Sequence, residues 1–330
     1  MNLLKFTRYS EWWEYKLVPL LVVGYSAIII NRFPIEKAAL TLLVILLAII
    51  SGAIYVSVIN DLTDIKEDAI AGKNNRMAGI SPDRRLTILL ISIIIGLFFG
   101  YKFYPDILSI YLFCSAYLVF SLYSLPPVRL KKRGIWGVFC DAMGAHLFPA
   151  LLIITHLTFV LGGKLSYIFL ITTGIWAFCY GLRGILWHQF HDRDNDIKSN
   201  TNTFASKIKP TDFRLPELII FIIEIITLSI MIYHIFNLWL FLSLLIYFSL
   251  VLIRKFRFKY ETALILSPVS APYQLLMNDF YLVFFPLSLL LEMSLNNRYG
   301  WLVLCLHVLL FPQKITLVIK DFFYFIKQYN

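Results

Sequence analysis

Long apolar stretches separated by short polar loops make up most of this 330-residue chain. A helix needs about 20 apolar residues to cross a bilayer, and stretches of roughly that length recur from end to end. The predicted spans are residues 17–31, 38–59, 86–101, 106–124, 135–155, 165–187, 215–235, 237–253, 278–295 and 299–319. The pattern therefore predicts an all-α, polytopic membrane helical bundle of nine to ten transmembrane helices. The last stretch is the weakest, because Pro312 and Lys314 interrupt it.

The composition supports an integral membrane protein. The chain is 59% hydrophobic and 15% charged, with a mean hydropathy of +0.74, whereas soluble domains are about half apolar and a quarter charged. We expect a single membrane domain over 1–330. Residues 12–214 carry the motifs described below, and 215–330 supply the remaining helices, including one extra C-terminal helix if ten spans form.

The positive charges are concentrated in every second loop. The loops rich in Lys and Arg are 60–85, 125–134, 188–214 and 254–260. By the positive-inside rule these loops and the N-terminus face the cytoplasm. The net charge of +10 is thus explained by topology, and no nucleic-acid partner is expected. We expect an integral protein of the cell (inner) membrane with its active site on the cytoplasmic side.

An acidic cluster follows the second span. Its members are Asn60, Asp61, Asp64 and Asp68. If the helix continues through them, at about 100° per residue they fall within an arc of roughly 100°. Such oxygen ligands suit Mg²⁺, which binds one or two carboxylates together with substrate phosphates. Lys73 and Arg76 follow and are candidates to neutralise phosphate charge, although topology explains Lys73 equally well.

A second acidic cluster follows the sixth span. Asp192 and Asp196 are one helical turn apart and share a face with His188. A calcium loop also begins D-x-D-x-D, but it needs Gly and Glu where this chain has Ile197 and Thr203, so that interpretation fails. Zinc would need a further ligand beside the histidine, and a positioning hydrogen bond is favoured instead. Lys198 is a candidate phosphate contact, with a solvated loop lysine as the alternative.

A third motif links the two clusters. It reads Tyr123-Ser124-Leu125-Pro126-Pro127-Val128-Arg129-Leu130-Lys131. The paired prolines must end the fourth span, because proline lacks the helical N–H and restricts the residue before it. Arg129 and Lys131 are therefore expected on the same side of the membrane as both acidic clusters.

These motifs resemble those of the UbiA superfamily of intramembrane prenyltransferases. That family is marked by NDxxDxxxD after its second helix, YSxPPxRxK after its fourth and DxxxD after its sixth. All three patterns occur here in that order, and the resemblance covers at least residues 12–214. Three departures are visible, one of which is that the stretch from Asp68 to Arg76 is slightly short. Many members read Arg-Pro-Leu where this chain has Arg76-Met77-Ala78, and the tenth apolar stretch exceeds the family's usual nine helices.

The resemblance implies a helical bundle around a central cavity in which an isoprenyl group passes from an isoprenyl diphosphate to a lipophilic or aromatic acceptor. It implies Mg²⁺, with two ions expected, and departure of diphosphate to leave an allylic carbocation. The implied catalytic residues are Asp61, Asp64, Asp68, Asp192 and Asp196, which with Asn60 are also the metal ligands. The implied substrate-binding residues are Asn60, Lys73, Arg76, Tyr123, Arg129, Lys131, His188 and Lys198.

Several alternatives stay open on the sequence. One is a terpene cyclase of the same family, and another is transfer to a non-aromatic acceptor of glycerol or sugar type. A transporter using the same acidic sites is disfavoured, because transporters tend to interrupt helices near the bilayer midplane. Asp141, His146 and Arg183 are candidates to orient an acceptor, although intramembrane polar groups also hold helices together.

Overall fold

The computed structural model describes residues 8–70, 72–198, 201–268 and 270–327. The apolar stretches form helices, because backbone groups in lipid must satisfy their hydrogen bonds internally. The helices are α1 (Tyr9–Asn31), α2 (Ile35–Ile70), α3 (Pro82–Lys102), α4 (Ile107–Ser124), α5 (Ile135–Ala142), α6 (Phe148–Leu161), α7 (Tyr167–His191), α8 (Arg193–Lys198), α9 (Phe204–Lys207), α10 (Arg214–Ile235), α11 (Leu238–Arg257), α12 (Phe285–Asn296), α13 (Arg298–Leu310) and α14 (Pro312–Lys327).

Short irregular elements join some of these helices. A π-helical turn, Met143–Leu147, connects α5 to α6 within one membrane-length unit, and a second, Phe280–Phe284, precedes α12. Single 3₁₀ turns occur at Leu130–Lys132 and Pro210–Phe213. In the loop after α11, strands β1 (Glu261–Ala263) and β2 (Tyr273–Leu275) pair in parallel. This pair is the only β-sheet in the described residues, so the fold is all-α as predicted.

The helix count agrees with the prediction except at the C-terminal end. Within the described residues, eight helices are long and apolar enough to cross a membrane, and Phe280–Asn296 is a shorter apolar helix. The predicted span 299–319 is not one straight helix, because α13 and α14 meet at 84°. The bend falls at Phe311, immediately before Pro312, where the ring cannot continue the hydrogen-bond ladder.

Burial shows which helices are central. In the most apolar 18-residue stretch of α1, 72% is buried inside the protein. In the corresponding stretch of α3 only 17% is buried. The α1 helix therefore lies in the middle of the bundle, while α3 lies at its edge and exposes residues such as Leu97 for contact with lipid. Side chains from α1, α6, α7 and α12 form the main core, with Trp176 and Phe285 almost completely buried.

The three motifs lie at one end of the bundle, which we call the motif face. This face contains the loops that follow α2, α4, α7 and α11. Arg8 contacts Asp61 there, and Lys73 contacts Asp192. At the opposite end, the Lys164 N–H donates to Asn31 Oδ1 over 3.2 Å. The predicted placement of the motifs on one side of the membrane thus agrees with the contacts.

The amphipathic helix α14 is fixed to the motif face. Glu14 of α1 accepts hydrogen bonds from the backbone N–H groups of Gln313 (2.7 Å) and Lys314 (2.9 Å), which caps the first turn of α14. Arg254 at the end of α11 donates to Asp321 of α14 over 2.9 Å. Ile315 is buried against the bundle. These contacts hold α14 in place after the 84° bend.

Candidate active site

A cavity of about 1240 Å³ opens between α1, α2, α4, α5–α6 and α7 and reaches the motif face. Most of the predicted site residues line it, namely Asn60, Asp64, Asp68, Lys73, Tyr123, Lys131, His188, Asp192 and Asp196. Four do not, namely Asp61, Arg76, Arg129 and Lys198. Charged groups are gathered at the motif-face end, and the walls between α2 and α4 are apolar.

Asp61 is buried beneath two arginines. Only 2% of its side chain is exposed, and its Oδ1 lies 3.3 Å from Arg8 Nε. Its Oδ2 is 3.8 Å from Arg76 Nη1 and accepts no hydrogen bond from the described residues. Arg76, a predicted phosphate contact, pairs with Asp61 and lies 3.2 Å from Glu11. Asp61 therefore keeps one buried carboxylate oxygen without a donor.

Asp64 is held by the linking motif. It lies 2.8 Å from Arg129 Nη2 and 2.5 Å from Lys131 Nζ. Arg129 also forms an ion pair with Glu67. Lys132 Nζ lies 2.6 Å from Oε1 of the same glutamate. Burial lowers the pKa of Lys131, and the Asp64 carboxylate opposes that shift only in part. Burial acts on Arg129 in the same sense, but Glu67 and Asp64 outweigh it, so the pKa of Arg129 is raised.

Two amide side chains fix the ends of the first cluster. Asn75 Nδ2 donates to Asp68 Oδ2 over 2.7 Å and to the backbone carbonyl of Asp61 over 2.9 Å. This folds the loop after α2 back onto the helix. At the other end of the cluster, Asn60 Oδ1 accepts a hydrogen bond from Ser124 Oγ of the linking motif. The first and third motifs are therefore joined at Asn60 as well as at Asp64.

The second acidic cluster is held by residues of two neighbouring loops. Lys73 Nζ donates to Asp192 Oδ2 over 3.2 Å, and Thr203 Oγ1 donates to Asp196 Oδ2 over 2.9 Å. Partial burial raises the pKa of Asp196, and nearby Asp192 adds to the shift. Asp194 does not line the cavity, and 87% of its side chain is exposed.

Several site residues did not stand out in the sequence. Arg8 belongs to a basic N-terminal segment that topology explains, and Asn75 and Thr203 are ordinary loop residues. Glu67 follows Asp64 by three residues, one helical turn along α2, and this spacing could have identified it. Lys198 lies at the end of α8 and is exposed, away from the cavity lining.

The carboxylates suit Mg²⁺ that is shared with a substrate. Within the described residues, no three His, Cys, Asp or Glu side chains meet in a group able to hold a metal alone. Asp64 and Asp68 instead lie on one wall of the cavity and Asp192 and Asp196 on another. Mg²⁺ is commonly held by one or two carboxylates, several waters and substrate phosphates, and this donor set fits that mode.

The fold and the cavity define an integral membrane protein with a chamber that is charged at one end and apolar inside. The chain belongs to the UbiA prenyltransferase family, whose sequence model matches residues 17–264. A comparison with curated proteins finds none that matches.

Two solved structures of a UbiA homolog from Archaeoglobus fulgidus share the fold. The homolog bound to GPP and Mg²⁺ has a TM-score of 0.56 and 17% identity, and the match covers 92% of this chain and 99% of the homolog. The homolog bound to DMAPP and Mg²⁺ has a TM-score of 0.56 and 16% identity. That match covers 92% of this chain and 98% of the homolog. At this level of identity the likeness shows the fold alone.

Proposed function

We propose that this protein transfers an isoprenyl group from an isoprenyl diphosphate to a lipophilic or aromatic acceptor in a Mg²⁺-dependent reaction. The proposal is supported by family membership and by the Archaeoglobus fulgidus homolog bound to GPP and Mg²⁺. The observation that carries it is that carboxylates from both acidic motifs, together with Lys73 and Lys131, line one cavity that continues into an apolar arm.

The charged end of the cavity would receive the diphosphate. Asn60, Asp64 and Asp68, which line the cavity, would hold one Mg²⁺, and Asp192 and Asp196 would hold a second. Asp61 would join the first set by turning from Arg8 and Arg76 into the cavity. When bound, the metal ions neutralise the phosphate oxygens and so stabilise the charge of the leaving group. Lys73 and Lys131 now pair with carboxylates of the two clusters. Both would turn to the diphosphate oxygens when it enters, since charge-assisted hydrogen bonds to phosphate are strong.

The apolar arm would hold the prenyl tail. Small side chains of α2 line it, with Ala53, Gly52 and Ala48 at increasing depth, and Ala116 of α4 faces the same space. From Asn60 to Ala48 the helix advances by about 18 Å at 1.5 Å per residue. A tail laid along α2 would leave its first carbon beside the charged cluster.

Bond cleavage would take place where the two regions meet. The C1–O bond of the diphosphate breaks, its electron pair leaves with diphosphate, and C1 becomes part of an allylic cation. Tyr55, Tyr117, Phe120 and Tyr123 line the cavity, and the Tyr55 and Tyr117 rings stack at 4.9 Å. Aromatic faces attract a cation electrostatically, and a largely apolar wall excludes water that would otherwise capture it.

We place this reaction on the cytoplasmic side of the cell membrane. The support is the basic composition of the loops on the motif face, which the positive-inside rule assigns to the cytoplasm. The same face carries the opening of the cavity among the three motifs.

The test is pyrophosphate release by the purified protein from prenyl diphosphates of increasing length, with and without acceptors, followed by product analysis. Mg²⁺-dependent release in step with a prenylated acceptor is expected. Release with a cyclic hydrocarbon and no use of acceptor indicates a cyclase instead. Uptake of the diphosphate into proteoliposomes without any pyrophosphate release contradicts the proposal.

A further inference from the structure

Helix α14 lies across the motif face instead of passing through the membrane. The preceding helix α13 reaches that face at Leu310, whose backbone carbonyl accepts a hydrogen bond from Trp13 Nε1 over 2.8 Å. The chain then turns by 84°, and Glu14 and Arg254 hold α14 against the end of the bundle. A helix in this position runs along the membrane surface, at the level of the lipid headgroups.

The side chains of α14 form separate faces around its axis. Ile315 and Val318 are buried against the bundle, and Leu317 lines the cavity. Ile319 and Phe323 are one helical turn apart and therefore share a face. They are 47% and 64% exposed. An exposed apolar face next to the buried one suits the boundary between headgroups and acyl chains.

Positive charges gather beside this apolar face. The end of α11 adjoins α14 through the contact of Arg254 with Asp321 and through the rings of Phe258 and Tyr324, whose centroids are 5.5 Å apart. Four exposed cations surround this junction, and we call them the basic corner. They are Lys255, Arg257, Lys259 and Lys320. None of the four forms an ion pair with any residue that the structure describes.

Nearby carboxylates do not balance the basic corner. Asp321 is already engaged by Arg254. Glu261 is the one exposed acidic side chain in residues 254–261 and 312–324, all of which the structure describes. The basic corner therefore keeps an excess of positive charge, which an anionic partner would neutralise.

Exposed aromatic side chains indicate that this partner is a lipid and not a soluble anion. Phe256 stands between Lys255 and Arg257 in the chain and is 67% exposed, and Tyr324 of α14 is also exposed. A free phosphate would contact the cations and leave these rings in water. A phospholipid joins a phosphate to acyl chains, so one molecule contacts both kinds of side chain. Basic clusters on amphipathic helices bind anionic headgroups in this way.

We propose that the basic corner and the exposed apolar face of α14 bind an anionic phospholipid of the phosphatidylglycerol type. The headgroup phosphate would contact the Lys and Arg side chains, and the first part of the acyl chains would contact Phe256 and Phe323. On its other side α14 presents Lys314, Leu317 and Asp321 to the cavity. The bound lipid would therefore hold in place a helix that forms part of the cavity wall. The inference concerns the outer surface of α14 and does not depend on the proposed function.

The test measures lipid binding to the purified full-length protein in an uncharged detergent, by native mass spectrometry. The two probes are dioleoylphosphatidylglycerol and dioleoylphosphatidylcholine. The wild-type protein is expected to bind phosphatidylglycerol at least about tenfold more tightly, because each cation near an anionic headgroup adds to the attraction. The test variant combines Lys255→Gln, Arg257→Gln and Lys320→Gln and leaves the Arg254–Asp321 contact in place. It is expected to lose this preference. Phe323→Ser should weaken the binding of both lipids.

The matched control combines Arg84→Gln, Lys207→Gln and Lys209→Gln. These three cations are also exposed in the loops of the motif face, and their removal changes the net charge by the same amount. The control should keep the wild-type preference. Equal loss of preference in the two triple variants would reveal a general effect of net charge and overturn the inference. Equal binding of both lipids by the wild type would also overturn it. So would displacement of phosphatidylglycerol by an equal concentration of glycerophosphoglycerol, which has the headgroup without acyl chains.

Discussion

Lys73 Nζ lies 3.2 Å from Asp192 Oδ2, and this contact joins the loop after α2 to the end of α7. The two residues are 119 positions apart in the chain. Their contact brings the two acidic motifs to one chamber, and it places a cation between them. The pair is partly exposed, so as a salt bridge it contributes little to stability. Under the proposed function, diphosphate would replace Asp192 as the partner of Lys73.

Lys73→Ala is expected to weaken geranyl diphosphate binding by about tenfold, equivalent to roughly 1.4 kcal/mol. The physical reason is the loss of one charge-assisted contact to phosphate. The measurement is the Kd of geranyl diphosphate in the presence of saturating Mg²⁺. Lys102→Ala, at the end of α3, is the control because Lys102 does not line the cavity. Equal affinities of both variants and wild type would show that Lys73 only sets topology.

Ala48→Leu is expected to shorten the prenyl tail that the cavity accepts. Ala48 lines the deep end of the apolar arm, about 18 Å along α2 from Asn60. The larger side chain should lower transfer from geranylgeranyl diphosphate by about tenfold, the range for one misfitting group in an apolar pocket. Dimethylallyl diphosphate should be used normally, because its tail ends well before this depth.

The same substitution outside the cavity is the control for that experiment. Ala39→Leu lies on the same helix and does not line the cavity. It should leave the preference for chain length unchanged. If Ala48→Leu lowers the use of both diphosphates equally, the prenyl tail does not lie along α2.

Glu224→Ala is expected to destabilise the protein strongly. Glu224 is fully buried within the bundle, where it pairs with Arg183 Nη1 at 2.5 Å and accepts a hydrogen bond from the Tyr281 hydroxyl at 2.8 Å. Removing the carboxylate leaves a buried guanidinium without its counter-charge, which costs about 3–5 kcal/mol. The free energy of unfolding in detergent measures the effect.

A double substitution separates the ion pair from simple packing. Arg183→Met combined with Glu224→Met removes both charges and keeps most of the volume. Replacing a buried pair by apolar residues is often nearly neutral. The double variant should therefore be more stable than Glu224→Ala. The reverse order would show that the pair itself stabilises the bundle.

Gly300→Ala is expected to disturb the turn between α12 and α13. A Cβ at this position would lie 2.4 Å from the Met293 carbonyl oxygen, and backbone cannot move aside as a flexible side chain can. We expect a loss of about 1–3 kcal/mol in the free energy of unfolding, as for overpacking elsewhere. Gly184→Ala is the matched control, because its Cβ would meet nothing within 4 Å. Equal stabilities of the two variants would contradict the close approach at Gly300.

The sequence predicts much of this architecture because the bilayer imposes simple rules. Spans of about 20 apolar residues predict the long helices, and the paired prolines predict the end of α4 at Ser124. Helical spacing gathers Asn60, Asp64 and Asp68 on one face, and all three line the cavity. The weakness predicted at Pro312 is confirmed as the start of a separate helix, α14.

Other features depend on tertiary contacts that no local pattern encodes. The predicted arc includes Asp61, but packing of Arg8 and Arg76 over α2 takes its side chain out of the cavity lining. Glu224 and Arg183 are 41 residues apart, so their pairing could not be inferred from spacing.

The most direct test is Mg²⁺-dependent pyrophosphate release from geranyl diphosphate by Asp64→Asn, Asp192→Asn and Asp194→Asn. Asp64 and Asp192 line the cavity from different motifs, whereas Asp194 belongs to the second motif but is 87% exposed. We predict that the first two variants each lose at least about 100-fold in rate, as when one stabilising group is removed from an active site, and that Asp194→Asn retains wild-type release. Full release by either Asp64→Asn or Asp192→Asn would contradict a single diphosphate site shared by the two motifs.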